Sequence, residues 1–316
     1  MTVDRRRILS AAALGRSAAE PGPLPHDGEP LTAVTGEVRD AGPHLLVIET
    51  PDGREERLII APWATAWRGR DIPPAEVPSG SHVIVRAIRG GKIAERIWAD
   101  ITRITGTILS LTGSGKDQVM ELDCGPHRGR REVVIPYRAS GRLRVRHPKF
   151  EPGYLFDAIG LRTDDGTFAQ IPATSQPPYR ATAVPPPPPA YSGTQSYASG
   201  TVVWGDPFEE NAGGGRTAAY PMLERPDSGC DDSGVSCAPL PYLSLGSMLT
   251  VRNLCTERAA VLPITVCGCV AGRFCDRCVE CGTSPRGRIA EISMESFVEL
   301  GGDLDKGCFN ARVGLG

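Results

Sequence analysis

The sequence predicts a mainly β protein built from small barrels, and three observations carry that prediction. The first is composition. Thirty-seven glycines and 29 prolines among 316 residues, with only 6% aromatics, describe a turn-rich chain with little room for long helices. The second is an internal repeat of about 70 residues in the first half of the chain. The third is a run of five prolines, Pro185 to Pro189, which ends all periodicity and sets the repeat apart from a cysteine-rich remainder. A chain of this length has room for about two or three domains, each with its own core.

The repeat emerges when the turn signals are aligned. "TGEV" at Thr35 returns as "TGTI" at Thr105. "LLVIETPDGREERLIIAP" (Leu45 to Pro62) corresponds to "QVMELDCGPHRGRREVVIPY" (Gln118 to Tyr137), two strand-like runs around a Gly-containing turn in each. "PSGSHVIVRAIRGGKIAERI" (Pro78 to Ile97) then corresponds to "EPGYLFDAIGLRTDDGTFAQI" (Glu151 to Ile171). Five short strands per unit suit small closed barrels of the OB type, and in pattern each unit resembles the OB-like modules of bacterial envelope proteins. The expected units are OB-like barrel 1 over 31–102 and OB-like barrel 2 over 103–175. A Pro-rich linker follows over 176–198, read as a polyproline II spacer rising roughly 3.1 Å per residue that holds the two barrels off the domain at 199–316.

Residues 1–30 hold "DRRRILSAAALG" (Asp4 to Gly15), the arginine cluster and short apolar stretch of a twin-arginine export signal, interrupted by Arg16. The alternative is a disordered Ala/Pro-rich start. No apolar run approaches the ~18 residues needed to span a bilayer. The formal charge of -2 hides an asymmetry: residues 101–173 carry 11 basic against 8 acidic side chains, and 196–316 carry 10 against 15. A polyanion-seeking middle and a separately acting C-terminal part follow from this.

The C-terminal part opens with "SGTVVWGDPF", continues through "GGGRTAAY" (Gly213 to Tyr220), and carries "LSLGSMLTVRNL" (Leu243 to Leu254) and "GRIAEISMESFVELG" (Gly287 to Gly301) before closing on "GCFNARV" (Gly307 to Val313). These stretches resemble the six-stranded double-psi β-barrel of the rare lipoprotein A and expansin-like families. The spacing of Phe297 and Leu300, with Gly301 after them, independently predicts a short amphipathic helix over Ser293 to Leu300. What the resemblance implies is contact with peptidoglycan or another cell-wall polysaccharide, in a groove with Trp204, Asp206, Thr217, Asn253 and Ser293. The family's catalytic pair is replaced: Leu240 stands where its His would be, and Cys267 or Gly268 where the Asp of its "D-R-G-P" would be. Glu291 takes the position of a third carboxylate, the acid of related endoglucanases. Glycan cleavage uses a proton donor, often with a second carboxylate about 5–9.5 Å away, so Glu291 is the candidate acid and Asp276, Glu280 and Asp206 are candidate partners. The competing reading of Glu291 is a solvated or salt-bridged carboxylate in a groove that binds glycan without cutting it.

Nine of the ten cysteines lie in this part: Cys230, Cys237, Cys255, Cys267, Cys269, Cys275, Cys278, Cys281 and Cys308. "VCGCVAGRFCDRCVEC" holds enough thiolates for zinc or an iron–sulfur cluster. An insert in an exported barrel favours disulfides, with local closure favouring Cys230 with Cys237, and no metal or cofactor is assigned. The odd count leaves one cysteine free or paired outside the domain, where Cys124 stands.

Two further stretches resemble motifs. "TGSGK" (Thr112 to Lys116) departs from a phosphate loop at Ser110 and Asp117 and reads as a polar turn; "DCGPHRGR" (Asp123 to Arg130) lies in the wrong barrel for the family's motif, which leaves Asp123 and His127 as turn residues. In "RLRVRHPK" (Arg142 to Lys149), strand alternation would align Arg142, Arg144 and Arg146 on one face for an anionic wall polymer; with few aromatics to stack bases, nucleic acid is not the expected partner. The expectation is a secreted or envelope-associated wall-binding protein with degenerate catalysis. The alternatives are a lytic transglycosylase-like enzyme and a cytosolic metal- or nucleic-acid-binding protein.

Overall fold

The computed structural model describes residues 29–113, 115–183, 197–205, 215–224, 229 and 234–315. The export-signal stretch and the five-proline run lie outside them. The chain folds as three closed β-barrels.

Barrel 1 comprises β1 (Thr32–Ala41), β2 (Leu45–Glu49), β3 (Glu55–Trp67), the short β4 (Asp71–Ile72), β5 (His82–Ile88) and β6 (Ile93–Ala99). β1, β2 and β3 form an antiparallel meander, β3 runs parallel to β6, and β6, β5 and β1 close the ring antiparallel. Barrel 2 repeats this order with β7 (Ile101–Thr112), β8 (Gln118–Asp123), β9 (Arg130–Ile135), β10 (Leu155–Thr163) and β11 (Gly166–Pro172), including one parallel pairing, β9 with β11. The repeated "TG" has a physical reason. A Cβ at Gly36 would collide with the carbonyl oxygen of Glu49, and one at Gly106 would lie 2.6 Å from that of Asp123. At the same point in each barrel the first strand passes over its neighbour too closely for a side chain, and so can serve two partners.

Between β9 and β10 the chain forms α1 (Tyr137–Arg146), which corrects the expected arginine-lined strand. Pro136, at φ -62°, enters the helix, and Ala139 and Leu143, four residues apart, are the buried face that packs on the barrel. Val145, which strand alternation would place opposite the arginines with Leu143, is 71% exposed. The arginines spaced two apart therefore fan around a helix instead of forming a row. Arg144 lies over the Phe150 ring at 4.3 Å and bonds Gln118, while Arg146 bonds Ser175 and Arg142 is half-buried.

Barrel 3 contains β12 (Tyr197–Trp204), β13 (Ala218–Tyr220), β14 (Met248–Asn253), β15 (Ala259–Cys267), β16 (Arg288–Ile292) and β17 (Cys308–Leu315), closed in the order β12-β16-β13-β15-β14-β17. β12–β16 and β13–β15 are parallel. Two short helices interrupt it, α2 (Cys269–Gly272) and α3 (Met294–Glu299). The expected helix is α3, capped by the Ser293 hydroxyl, which accepts from Ser296 N, and ended at Gly301 with φ +81°.

The linker does not hold the barrels apart. Its first residues pack instead: Ala181 is buried with Leu155 and Phe274, and Tyr179 donates to Arg273 O at 2.5 Å. One apolar core runs from Trp67 and Trp98 of barrel 1 through Ile159 and Ile171 of barrel 2 to Trp204 and Leu304 of barrel 3. The α3–β17 loop is the common junction. Its Asp303 meets Arg86 at 2.8 Å, its Asp305 accepts from Trp98 Nε1 at 2.8 Å, and its Gly307 carbonyl accepts from Arg103 Nη1 at 2.6 Å.

Barrels 2 and 3 share a buried ionic network centred on Asp157 of β10. The carboxylate accepts from Arg103 Nε at 3.0 Å and Nη2 at 2.8 Å, from Thr105 at 2.7 Å, from Thr174 at 2.5 Å and from Arg288 Nη2 at 2.5 Å. Arg288 also meets Asp276 at 3.2 Å and lies over the Phe274 ring at 3.6 Å. Burial alone would raise Asp157, but Arg103 and Arg288 outweigh it and hold the carboxyl well below the usual range. Beside it, His147 Nε2 accepts from Asp157 N at 3.1 Å, and burial pushes the imidazole down to about 4.

Asp157→Asn leaves two buried arginines short of an anion and is expected to lower unfolding stability by about 3–5 kcal/mol, read by chemical denaturation. The acid limb has two parts. His147 is neutral when folded and titrates near 6.5 when unfolded, so stability falls as pH drops from about 6.5 toward 4. Asp157, whose folded value is depressed, takes away further stability only below about 4. Thermal unfolding scanned across pH should show both limbs, and His147→Gln should flatten only the upper one.

Candidate functional site

Glu291 sits near the end of β16 and is 3% exposed. Its partner comes from another barrel. The β8–β9 loop of barrel 2, "DCGPHRGR", folds on itself through Gly125 N to Asp123 Oδ1 at 2.9 Å and Cys124 N to Gly129 O at 2.8 Å, with Gly125 and Gly129 at φ +93° and +62°. The tight turn projects His127 and Arg128 onto barrel 3. Arg128 Nη2 bonds Glu291 Oε1, and His127 Nε2 contacts Cys267 Sγ at 3.4 Å. A Cβ at Gly125 would lie 3.1 Å from Val270, so the loop is seated closely on α2.

Gly205, just after β12, forms the floor of this contact. A Cβ there would collide with Glu291 Oε1 and lie 2.8 Å from Arg128 Nη2. The small cleft that remains is lined by Cys124, Pro126, His127, Ala219, Cys267 and Glu291 among others. The Glu291 carboxylate is thus covered, with one oxygen bound to a guanidinium.

The other candidate carboxylates are held by different cations. Asp276 lies in the Asp157–Arg288 network, and Glu280 stands 3.7 Å from Lys306. Neither shares a hydrogen bond with Glu291 among the described residues. Burial by itself would lower Arg288, but Asp157 and Asp276 outweigh it and raise its value. Asp276 therefore serves as a counter-charge to Arg288.

The expected groove residues divide in the same way. Trp204 is fully buried, its indole donating to Leu304 O at 2.9 Å, so it belongs to the core. Asn253 is buried too, bonding Leu300 O at 2.9 Å and accepting from Cys255 N at 2.8 Å, which makes it a turn-former at the end of β14. Thr217 is half-buried and accepts Ser293 N through its carbonyl, while the Ser293 hydroxyl caps α3. Asp206 lies outside the described residues.

The cysteine pairing departs from local closure. Cys237 bonds Cys275, and Cys255 bonds Cys281. Tyr179, from the segment before the proline run, lies 2.9 Å from Cys275 Sγ. Cys267 is disulfide-bonded as well. Cys278 and Cys308 face each other as buried thiols. Cys230 and the side chain of Cys269 lie outside the described residues.

Sequence reasoning missed His127, Arg128 and Gly205. The one available signal was the glycine-rich "DCGPHRGR" itself, because two glycines around His-Arg announce a turn that presents those side chains. The chain matches no known family model and no curated protein. Gly205→Ala should force the Arg128–Glu291 pair apart and cost about 1–3 kcal/mol, measured by denaturant unfolding.

Proposed function

We propose that this is an exported, cell-wall-associated protein whose C-terminal barrel binds peptidoglycan or another wall polysaccharide without cutting it. One observation carries the non-catalytic part: the carboxylate at the position of the related endoglucanases' acid is buried and ion-paired with Arg128 of a neighbouring barrel. The reading of barrel 3 as a double-psi barrel draws support from its six strands and its two parallel pairings on either side of the antiparallel β13–β16 pair. The OB-like reading of barrels 1 and 2 draws support from their common five-strand order with one parallel pairing each, and in barrel 2 from the helix between the third and fourth strands. The disulfides agree with an oxidising compartment. The basic helix α1, with Arg142, Arg144 and Arg146 and no acidic residue, is the candidate contact to an anionic wall polymer.

The test is co-sedimentation of the purified chain with isolated sacculi, followed by analysis of the soluble fraction. Retention on the sacculi with no released anhydro-muropeptides and no new reducing ends is the expected result. Failure to bind any wall polymer sinks the reading, and release that disappears in Glu291→Gln replaces it with the enzyme.

A further inference from the structure

We propose that Cys278 and Cys308 form a further disulfide, one that ties the cysteine-rich insert to the final strand of barrel 3. Cys278 lies in the insert between α2 and β16, Cys308 is the first residue of β17, and both are buried. Their Sγ atoms are 2.6 Å apart. That is well inside the non-bonded contact of two sulfurs. It is also short of the roughly 3.7 Å between two thiolates on one tetrahedral zinc with ~2.3 Å bonds. The separation therefore suits a covalent bond and not a shared metal.

The surroundings hold Cys278 in place for it. Its backbone N–H donates to Thr201 Oγ1 and to Ser284 Oγ, both at 3.0 Å, and Val203 packs against the pair. The contact with Cys278, and burial after it, push the Cys308 thiol up. A pair that is already enclosed is thus protonated and slow to react, which places oxidation in folding, before the insert closes. Two S–H bonds break and one S–S bond forms. The two electrons and two protons pass to the disulfide of a thiol:disulfide oxidoreductase, which leaves as a dithiol.

This cross-link explains the spacing of the C-x-x-C-x-x-C run. Cys275 is bonded to Cys237 in the segment before β14, Cys281 to Cys255 in the β14–β15 turn, and Cys278 faces Cys308 on β17. Cysteines three residues apart thus reach three different parts of the barrel. The inference stands on this geometry and is independent of any glycan reading.

The experiment uses the full chain produced in an oxidising compartment and purified without reductant. Thiols are alkylated under denaturing conditions, and the unreduced protein is digested with trypsin and read by mass spectrometry. Peptide 278–286 holds both Cys278 and Cys281, so the expected product is one three-peptide species joining 253–258, 278–286 and 307–312. In Cys281→Ser the species should shrink to 278–286 with 307–312, and in Cys278→Ser peptide 307–312 should become alkylated. Wild-type 307–312 recovered alkylated at Cys308, or joined to any other cysteine peptide, overturns the proposal. So does stoichiometric zinc that leaves with added chelator.

Discussion

The seating of barrel 3 on barrel 2 turns on one carboxylate. Asp157 is wholly buried between Arg103 of its own barrel and Arg288 of the next, and with Asp276 the four side chains sum to no net charge. Such a cluster contributes little net stability compared with an apolar contact of the same size, because taking ions out of water is costly. It is, however, intolerant of misplacement. An arginine displaced by a few ångströms would be a buried charge without a partner, so the network admits one docking geometry. Part of it is still unsatisfied: Arg288 Nε and Nη1 and Asp276 Oδ1 have no hydrogen-bond partner among the described residues, and the Phe274 ring takes up some of the remaining cationic surface.

Fixed docking is what allows barrel 2 to reach Glu291. Arg128 rides on a loop whose position relative to β16 depends on how the two barrels meet. Gly205 leaves the space through which the pair closes. The interface therefore turns the Glu291 carboxylate into part of a structural joint.

Much of the architecture was legible in the sequence. The 70-residue repeat announced two equivalent barrels because the same close strand crossing demands glycine at Gly36 and Gly106. Ser293 and Gly301 marked both ends of α3, since capping and positive φ are local requirements that only certain residues meet. The basic stretch at Arg142 misled because its alternation of Arg with Leu and Val fits a strand. The helix was chosen by Ala139 and Leu143 packing on the barrel, a tertiary contact that overrides local pattern. The expected Cys230–Cys237 closure failed for a related reason. Nearness in sequence is a weak guide when a folded barrel already brings Cys237 beside Cys275.

By itself, the sequence determined the strand content, the repeat, the helix caps and the presence of a cysteine-rich insert, all of which depend on neighbours a few residues away. Only the tertiary structure decided the rest: that the barrels share a core across the linker, that Asp276 answers Arg288, and that "DCGPHRGR" supplies the partner of Glu291. Charge pairing and burial act through space between residues 12 to more than 160 positions apart. No local pattern encodes which distant side chain will arrive, because that is fixed only once the barrels have closed and docked.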